Sequence, residues 1–129
     1  MRLRGVGAAA LLVSAGVHLY LWFDGVREQS VGPMFLMNVV AGVVIAILLL
    51  RWEHWVPAFL TAGFGAATLG AFVIASTVGL LGVHTVWAGG SVWTAAVAEV
   101  VCIVVGVLLL LRGRSVTPQP ARSAKRRPA

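Results

Sequence analysis

The chain has 129 residues, 60% of them hydrophobic, a net charge of +6 and only 11% charged residues. So little polar surface excludes a soluble domain. The basic excess falls at expected helix ends and in the C-terminal stretch, so it reads as a topology signal and a contact for anionic lipid, not for nucleic acid. One cysteine, Cys102, excludes a disulfide framework or a multi-cysteine metal site within one chain.

The first apolar run, Gly5 to Phe23, follows the basic start MRLR. Such a start, with small residues at Val13, Ser14 and Ala15, also suits a cleaved signal peptide. Hydrophobicity continues through His18-Leu19-Tyr20-Leu21-Trp22-Phe23, with aromatic residues placed like an interfacial belt, and that favours a retained helix over 5–23. Its ionisable residue within the span is His18.

Asp24 to Gly32 is a short polar loop with two acids, one arginine and two glycines. Pro33 suits the first turn of the next helix, expected over 33–50, which carries Asn38 beside the small residues Ala41 and Gly42. Arg51-Trp52-Glu53-His54-Trp55 reads as a tight turn at interface level, with His54 a solvated loop residue, and Pro57 opens a third helix over 57–81.

That third helix is rich in glycine and alanine. Ala62, Ala66 and Gly70 repeat four apart, as do Gly63, Ala67, Ala71 and Ala75. Small residues at this spacing let helix backbones approach closely in a membrane. Ser76 and Thr77 near its far end can bond across helices or to their own backbone. Gly82 to Gly90 is a second loop, uncharged apart from His84.

The fourth run, expected over 92–111, contains Glu99. A charge at the centre of a spanning helix costs about 2.5 kcal/mol or more on insertion scales, so Glu99 requires compensation. Its helical face carries Val92, Ala95, Ala96, Cys102, Ile103 and Gly106, which are mostly small, as expected of a face packed on other helices. After Leu111 the composition changes to six basic residues, three prolines and no acid, which predicts a disordered tail over 115–129.

Both termini placed in the cytoplasm would put nine Lys and Arg residues inside and only Arg27 outside. The expected fold is therefore an all-α membrane protein: four transmembrane helices in an up-down bundle, both termini cytoplasmic, with a basic tail. Superposing Arg51 on Arg112 aligns the second and fourth helices without gaps and lays Asn38 on Glu99; Gly16 to Trp22 echoes Gly82 to Trp87. Both point to two hairpins related by duplication.

The stretch HLYLWFDGVREQSVGPMFLMNVVAGVVIAILLL, His18 to Leu50, resembles uncharacterised small four-helix integral membrane proteins of actinobacteria, and the likeness covers most of residues 5 to 111. It implies a multi-pass location in the bacterial plasma membrane and a helix count, and no catalytic residue. Richness in Ala, Val, Gly and Arg is in keeping with a high-GC genome.

At about 1.5 Å per residue, His18, Asn38 and Glu99 each lie roughly 4 to 7 Å outward of their helix midpoints. They could form one buried layer in which Glu99 accepts from His18 and Asn38, with Ser76 or Thr77 as a more distant contributor. Three readings stay open: structural glue, a proton-linked or cation-binding site, or a lipid-facing or cavity-facing Glu99 kept protonated. A b-type haem would need axial ligands at matched depth, and His18 with Met34 or Met37 is the pair on offer. A metal held by His18, Glu99 and one loop group falls short of the usual three or four ligands. No cofactor or metal is expected. No Walker loop, HExxH, CxxC or GxGxxG occurs, so catalysis is not expected either. Two functions from different classes follow. One is a non-catalytic accessory or assembly subunit packing on further copies of itself or on a larger membrane complex. The other is a small proton- or cation-linked carrier using the Glu99 layer.

Overall fold

The computed structural model describes residues 2–114; the segment 115–129, expected to be disordered, lies outside them. Four helices follow in order: α1 Arg2–Phe23, α2 Gly32–Arg51, α3 Trp55–Thr77 and α4 Gly90–Arg114. All four are long and apolar enough to cross a membrane, and no strand occurs among the described residues. At 20 residues or more each, they match the roughly 30 Å of a hydrocarbon core.

α1 packs on both α2 and α4, α3 packs on α4, and α2 meets α3 along a narrower seam. The cyclic order is therefore α1-α2-α3-α4, with α2 and α4 on one diagonal. Two polar ties fix which ends lie together. Arg4 Nη1 donates to the carbonyl of Leu49 at 2.9 Å, which the last turn of α2 leaves without an intrahelical partner, and to that of Trp52 at 3.1 Å, which also accepts from His54 N–H. At the other end Ser30 Oγ donates to Leu81 O at 2.7 Å, joining the two loops there.

Three local features depart from the expected boundaries. α3 begins two residues before Pro57, because His54 is its N-cap: the Nδ1 atom accepts from Val56 N–H at 3.3 Å, and the ring stacks on Trp52. Pro57 then falls in the first turn, where its missing N–H has no intrahelical partner to lose. α3 stops at Thr77 and does not reach 81. Gly79 takes φ +90°, closing the helix onto Ile74 O, and Leu80 to Val83 reverse direction with φ positive at both Leu81 and Gly82. Hence Gly82 to Trp87 is loop whereas Gly16 to Trp22 is helix, so the two sequence echoes are not structural equivalents. Trp87 folds back onto Phe72 and Trp93, and its indole N–H donates to Ser76 Oγ at 3.2 Å.

The buried centre comprises Ala8 and Leu11 of α1, Ile45 and Leu49 of α2, Phe64 of α3 and Cys102 of α4. A Cβ on Gly42 would lie 3.0 Å from Ala15 Cβ and 3.4 Å from the tip of Phe64, so this glycine lets three helices converge.

Candidate functional site

Above this core lies a polar stratum to which each helix contributes. Glu99 is 3% exposed and Ser14 is fully buried. His18 Nδ1 lies 2.7 Å from the carbonyl of Ser14, one turn earlier on α1. A carbonyl only accepts, so Nδ1 carries the hydrogen and donates. The same nitrogen lies 3.5 Å from Ser14 Oγ. Ser14 lies near the Glu99 carboxyl across the α1–α4 contact. The expected pairing of Glu99 with His18 and Asn38 is not formed: His18 bonds to Ser14, and Asn38 bonds to Thr68.

The reason lies in the backbone. A Cβ on Gly65 would collide with the Glu99 carbonyl oxygen and lie 3.0 Å from Cys102 Cβ, so α3 presses directly on α4 at this turn. With α3 occupying that side, the Glu99 side chain is directed toward α1.

Along the α2–α3 seam, Asn38 Nδ2 donates to Thr68 Oγ1 at 3.1 Å, and the Thr68 hydroxyl donates to Phe64 O at 2.8 Å. Because the single hydroxyl hydrogen of Thr68 is committed to Phe64, Thr68 must accept from Asn38, which fixes the amide orientation. Asn38 Oδ1 is left buried without a partner. His18 and Asn38 therefore belong to two separate hydrogen-bonded groups, Ser14 with His18, and Asn38 with Thr68, and Glu99 lies buried beside the first.

Ser76 and Thr77 are not members. Both sit at the last turn of α3 and bond its own carbonyls, Ser76 to Val73 at 3.0 Å and Thr77 to Val73 at 2.8 Å. His18 rests against Phe35 of α2, with ring centroids 4.9 Å apart, while Met37 is 69% exposed, so that His–Met pair is not brought together. Among the described residues no three His, Cys, Asp or Glu side chains gather as a metal site.

The expected packing residues divide in two. Ala95 and Cys102 are buried on the face that α4 turns inward, and Gly106 meets Ala58 and Ala62 of α3 so closely that a Cβ there would lie 2.7 Å from Ala62 Cβ. Ala66, by contrast, is exposed, and Gly70 and Gly63 have nothing within 4 Å of a Cβ. The ridge that α3 uses within the chain is Ala58, Ala62 and Gly65. Its second ridge, Gly63, Ala66, Ala67 and Gly70, faces outward between the exposed Phe59 and Ile74. The outward faces of α2 and α4 differ: α2 presents Met37, Val40, Val44 and Ile47, and α4 presents Val97, Val100, Val104 and Val107. A shallow open groove of about 540 Å³ runs between Val6, Ala10 and Val13 of α1 and Trp93, Val97 and Val101 of α4.

Ser14, Gly65 and Thr68 are the participants that sequence reasoning missed. Ser14 carried a signal as a hydroxyl one turn from His18, and Thr68 as a hydroxyl within an otherwise apolar run. No protein-family model, curated protein or solved structure matches this chain.

Proposed function

We propose that the chain is a non-catalytic assembly or accessory subunit of a bacterial plasma membrane, with both termini and the Arg51–Trp55 turn in the cytoplasm, and that it docks through the outward small-residue ridge of α3. The observation that carries this reading is the contrast between faces. Outward positions on α2 and α4 hold branched or long apolar side chains, whereas Gly63, Ala66, Ala67 and Gly70 leave a face of small residues over two turns of α3. In lipid the hydrophobic effect gives helices no reason to associate, and close backbone approach over small residues supplies the packing that does. Such a face leaves lipid chains poorly seated and accepts a ridge of another helix, from a further copy or from a larger complex.

The orientation rests on the sequence count: with both termini inside, nine Lys and Arg residues would fall on the cytoplasmic side and only Arg27 outside. No cofactor and no catalytic group enter this reading; His18 and Thr68 of the polar stratum each bond a carbonyl of their own helix. Purification of the full chain in a mild detergent tests it. A stoichiometric second species is expected, either another copy or a larger partner, and Ala66→Phe should strip it away while leaving a folded helical monomer. A chain that elutes as a lone monomer with or without the substitution overturns the reading.

A further inference from the structure

The furrow between α1 and α4 has a floor of small residues and a rim of larger ones. Ala10 and Ala98 lie at its base, 6% and 5% exposed, and Val6, Val13, Val97 and Trp93 stand around it. A Cβ on Gly7 would lie 2.9 Å from Val105 Cγ1, so residue 7 of α1 and residue 105 of α4 share one level. From that level to Trp93, α4 runs twelve residues, about 18 Å. One leaflet's hydrocarbon is roughly 15 Å deep, so the furrow is long enough for a whole lipid acyl chain. Spread over this length, its volume of about 540 Å³ makes a channel roughly 5–6 Å across, narrower than the 10–12 Å of a helix. Trp93, packed on Trp87 with ring centroids 5.4 Å apart, stands at the far end.

The other end is basic. Arg2 precedes Val13 by eleven residues and Arg112 follows Val101 by eleven, about three turns in each case, so the two arginines continue the helix faces that line the furrow. Counted from the Gly7 and Val105 level, they stand within two residues, about 3 Å, of each other along the bundle. Their helices pack directly, with axes roughly 8–10 Å apart. Arg2 lies one turn, about 6 Å, beyond Val6, which matches the depth of the headgroup zone outside the hydrocarbon.

Both arginines are exposed, and neither has an ion pair or hydrogen bond among the described residues. Arg4 is engaged by the carbonyls of Leu49 and Trp52, and Arg27 pairs with Glu28 at the opposite end. Glu53 is the one acidic side chain of the sequence at the Arg2 end, and it lies in the turn between α2 and α3, not on α1 or α4. Two neighbouring cations without an anion of their own favour one from outside the chain.

We propose that this furrow is a site for an anionic phospholipid, with one acyl chain lying along Ala10 and Ala98 and the phosphate held between Arg2 and Arg112. Guanidinium groups bind phosphate oxygens through paired N–H donors, and a basic pocket between spanning helices is a setting in which anionic headgroups are recognised. The apolar furrow accepts any acyl chain; the arginine pair selects the charged headgroup. A helix of a second copy is too wide for the furrow. The site requires only that the chain spans a bilayer, and it does not involve the outward ridge of α3.

Photolabelling of the full chain in nanodiscs tests this. The discs hold phosphatidylcholine with a minor share of the probe, phosphatidylglycerol carrying a diazirine midway along one acyl chain. Adducts should concentrate in residues 6–13 and 93–101, and the same diazirine on phosphatidylcholine should label those segments less by on the order of tenfold. Arg2→Gln combined with Arg112→Gln should abolish the preference. Arg51→Gln, which removes a charge at the same end from α2, should keep it. Ala9→Phe, at an exposed position lining the furrow, should fill it and move the phosphatidylglycerol adducts to other faces. Circular dichroism should show unchanged helix content in all of these variants. Equal labelling by the two lipids, a preference that survives the double arginine substitution or is lost equally in Arg51→Gln, or adducts unmoved by Ala9→Phe would overturn the proposal. So would segments labelled by neither lipid, the result a second chain seated there would give.

Discussion

Gly106 lies against Ala62 with no room for a side chain: a Cβ on Gly106 would stand 2.6 Å from the Ala62 backbone nitrogen and 2.7 Å from the Ala58 carbonyl oxygen. Backbone atoms cannot swing aside as a flexible side chain can, so the two helices must separate to admit even a methyl group. Gly106→Ala should cost about 1–3 kcal/mol, as overpacking of a filled site does. Gly63→Ala adds the same methyl where nothing lies within 4 Å, and it should stabilise the monomer by about 0.5–1 kcal/mol through helix propensity. Thermal unfolding of both variants in detergent checks the pair; equal effects would show that the α3–α4 contact is not the close one described.

Glu99 and Ser14 form the second testable relationship. Glu99→Ala removes the buried polar group beside the fully buried Ser14 hydroxyl and should cost about 1–3 kcal/mol, whereas Glu99→Gln keeps size and an acceptor there and should cost much less. In a double-mutant cycle Ser14→Ala and Glu99→Ala should couple, while His18→Ala and Glu99→Ala should couple only weakly, since His18 bonds Ser14 and not Glu99. Strong coupling of His18 with Glu99 in a Ser14→Ala background would show direct contact instead.

Asn38 and Thr68 give a prediction of opposite character. Thr68→Val deprives Asn38 Nδ2 of its acceptor when Asn38 Oδ1 is already unpartnered, leaving the whole amide buried without a bond. That should cost about 1–3 kcal/mol. Asn38→Leu on top of it removes the stranded amide and should recover most of the loss, because exchanging both partners for apolar groups of similar shape is nearly neutral. Unfolding measurements in which the two costs simply add would sink this picture of the seam.

Arg4 supplies a tie that depends on charge and reach. Its guanidinium bonds two carbonyls at the end of α2, so Arg4→Ala should lower stability by about 1 kcal/mol, with Arg4→Lys intermediate because one ammonium replaces a planar fork. Detergent unfolding checks the order of the three side chains.

The helix count and approximate spans were legible in the sequence because apolar runs long enough to cross a bilayer are rare for any other reason. The inward face of α4 could also be read, since Glu99, Ala95, Cys102 and Gly106 recur at helical spacing. Less could be read on α3, where Gly and Ala occur all round: nothing in their pattern separates Ala62 and Gly65, which lie against α4, from Ala66, which is exposed, and Gly70, where a Cβ would meet nothing within 4 Å. Depth along a helix follows from residue number, but rotation and neighbour order do not. That is why His18, Asn38 and Glu99 could be placed in one stratum while the bonding of His18 to Ser14, and the pairing of Asn38 with Thr68, could not. The end of α3 was misjudged because Val78 and Leu80 continue the hydrophobicity, and only the positive φ of Gly79 marks the stop.

The central claim, that the outward ridge of α3 receives another protein helix, is tested most directly by a photo-crosslinking residue placed at position 66 in cells, with position 44 on the exposed face of α2 as the comparison. The claim predicts a protein adduct of discrete mass from position 66 and only lipid adducts from position 44. Lipid adducts alone from both positions would contradict it.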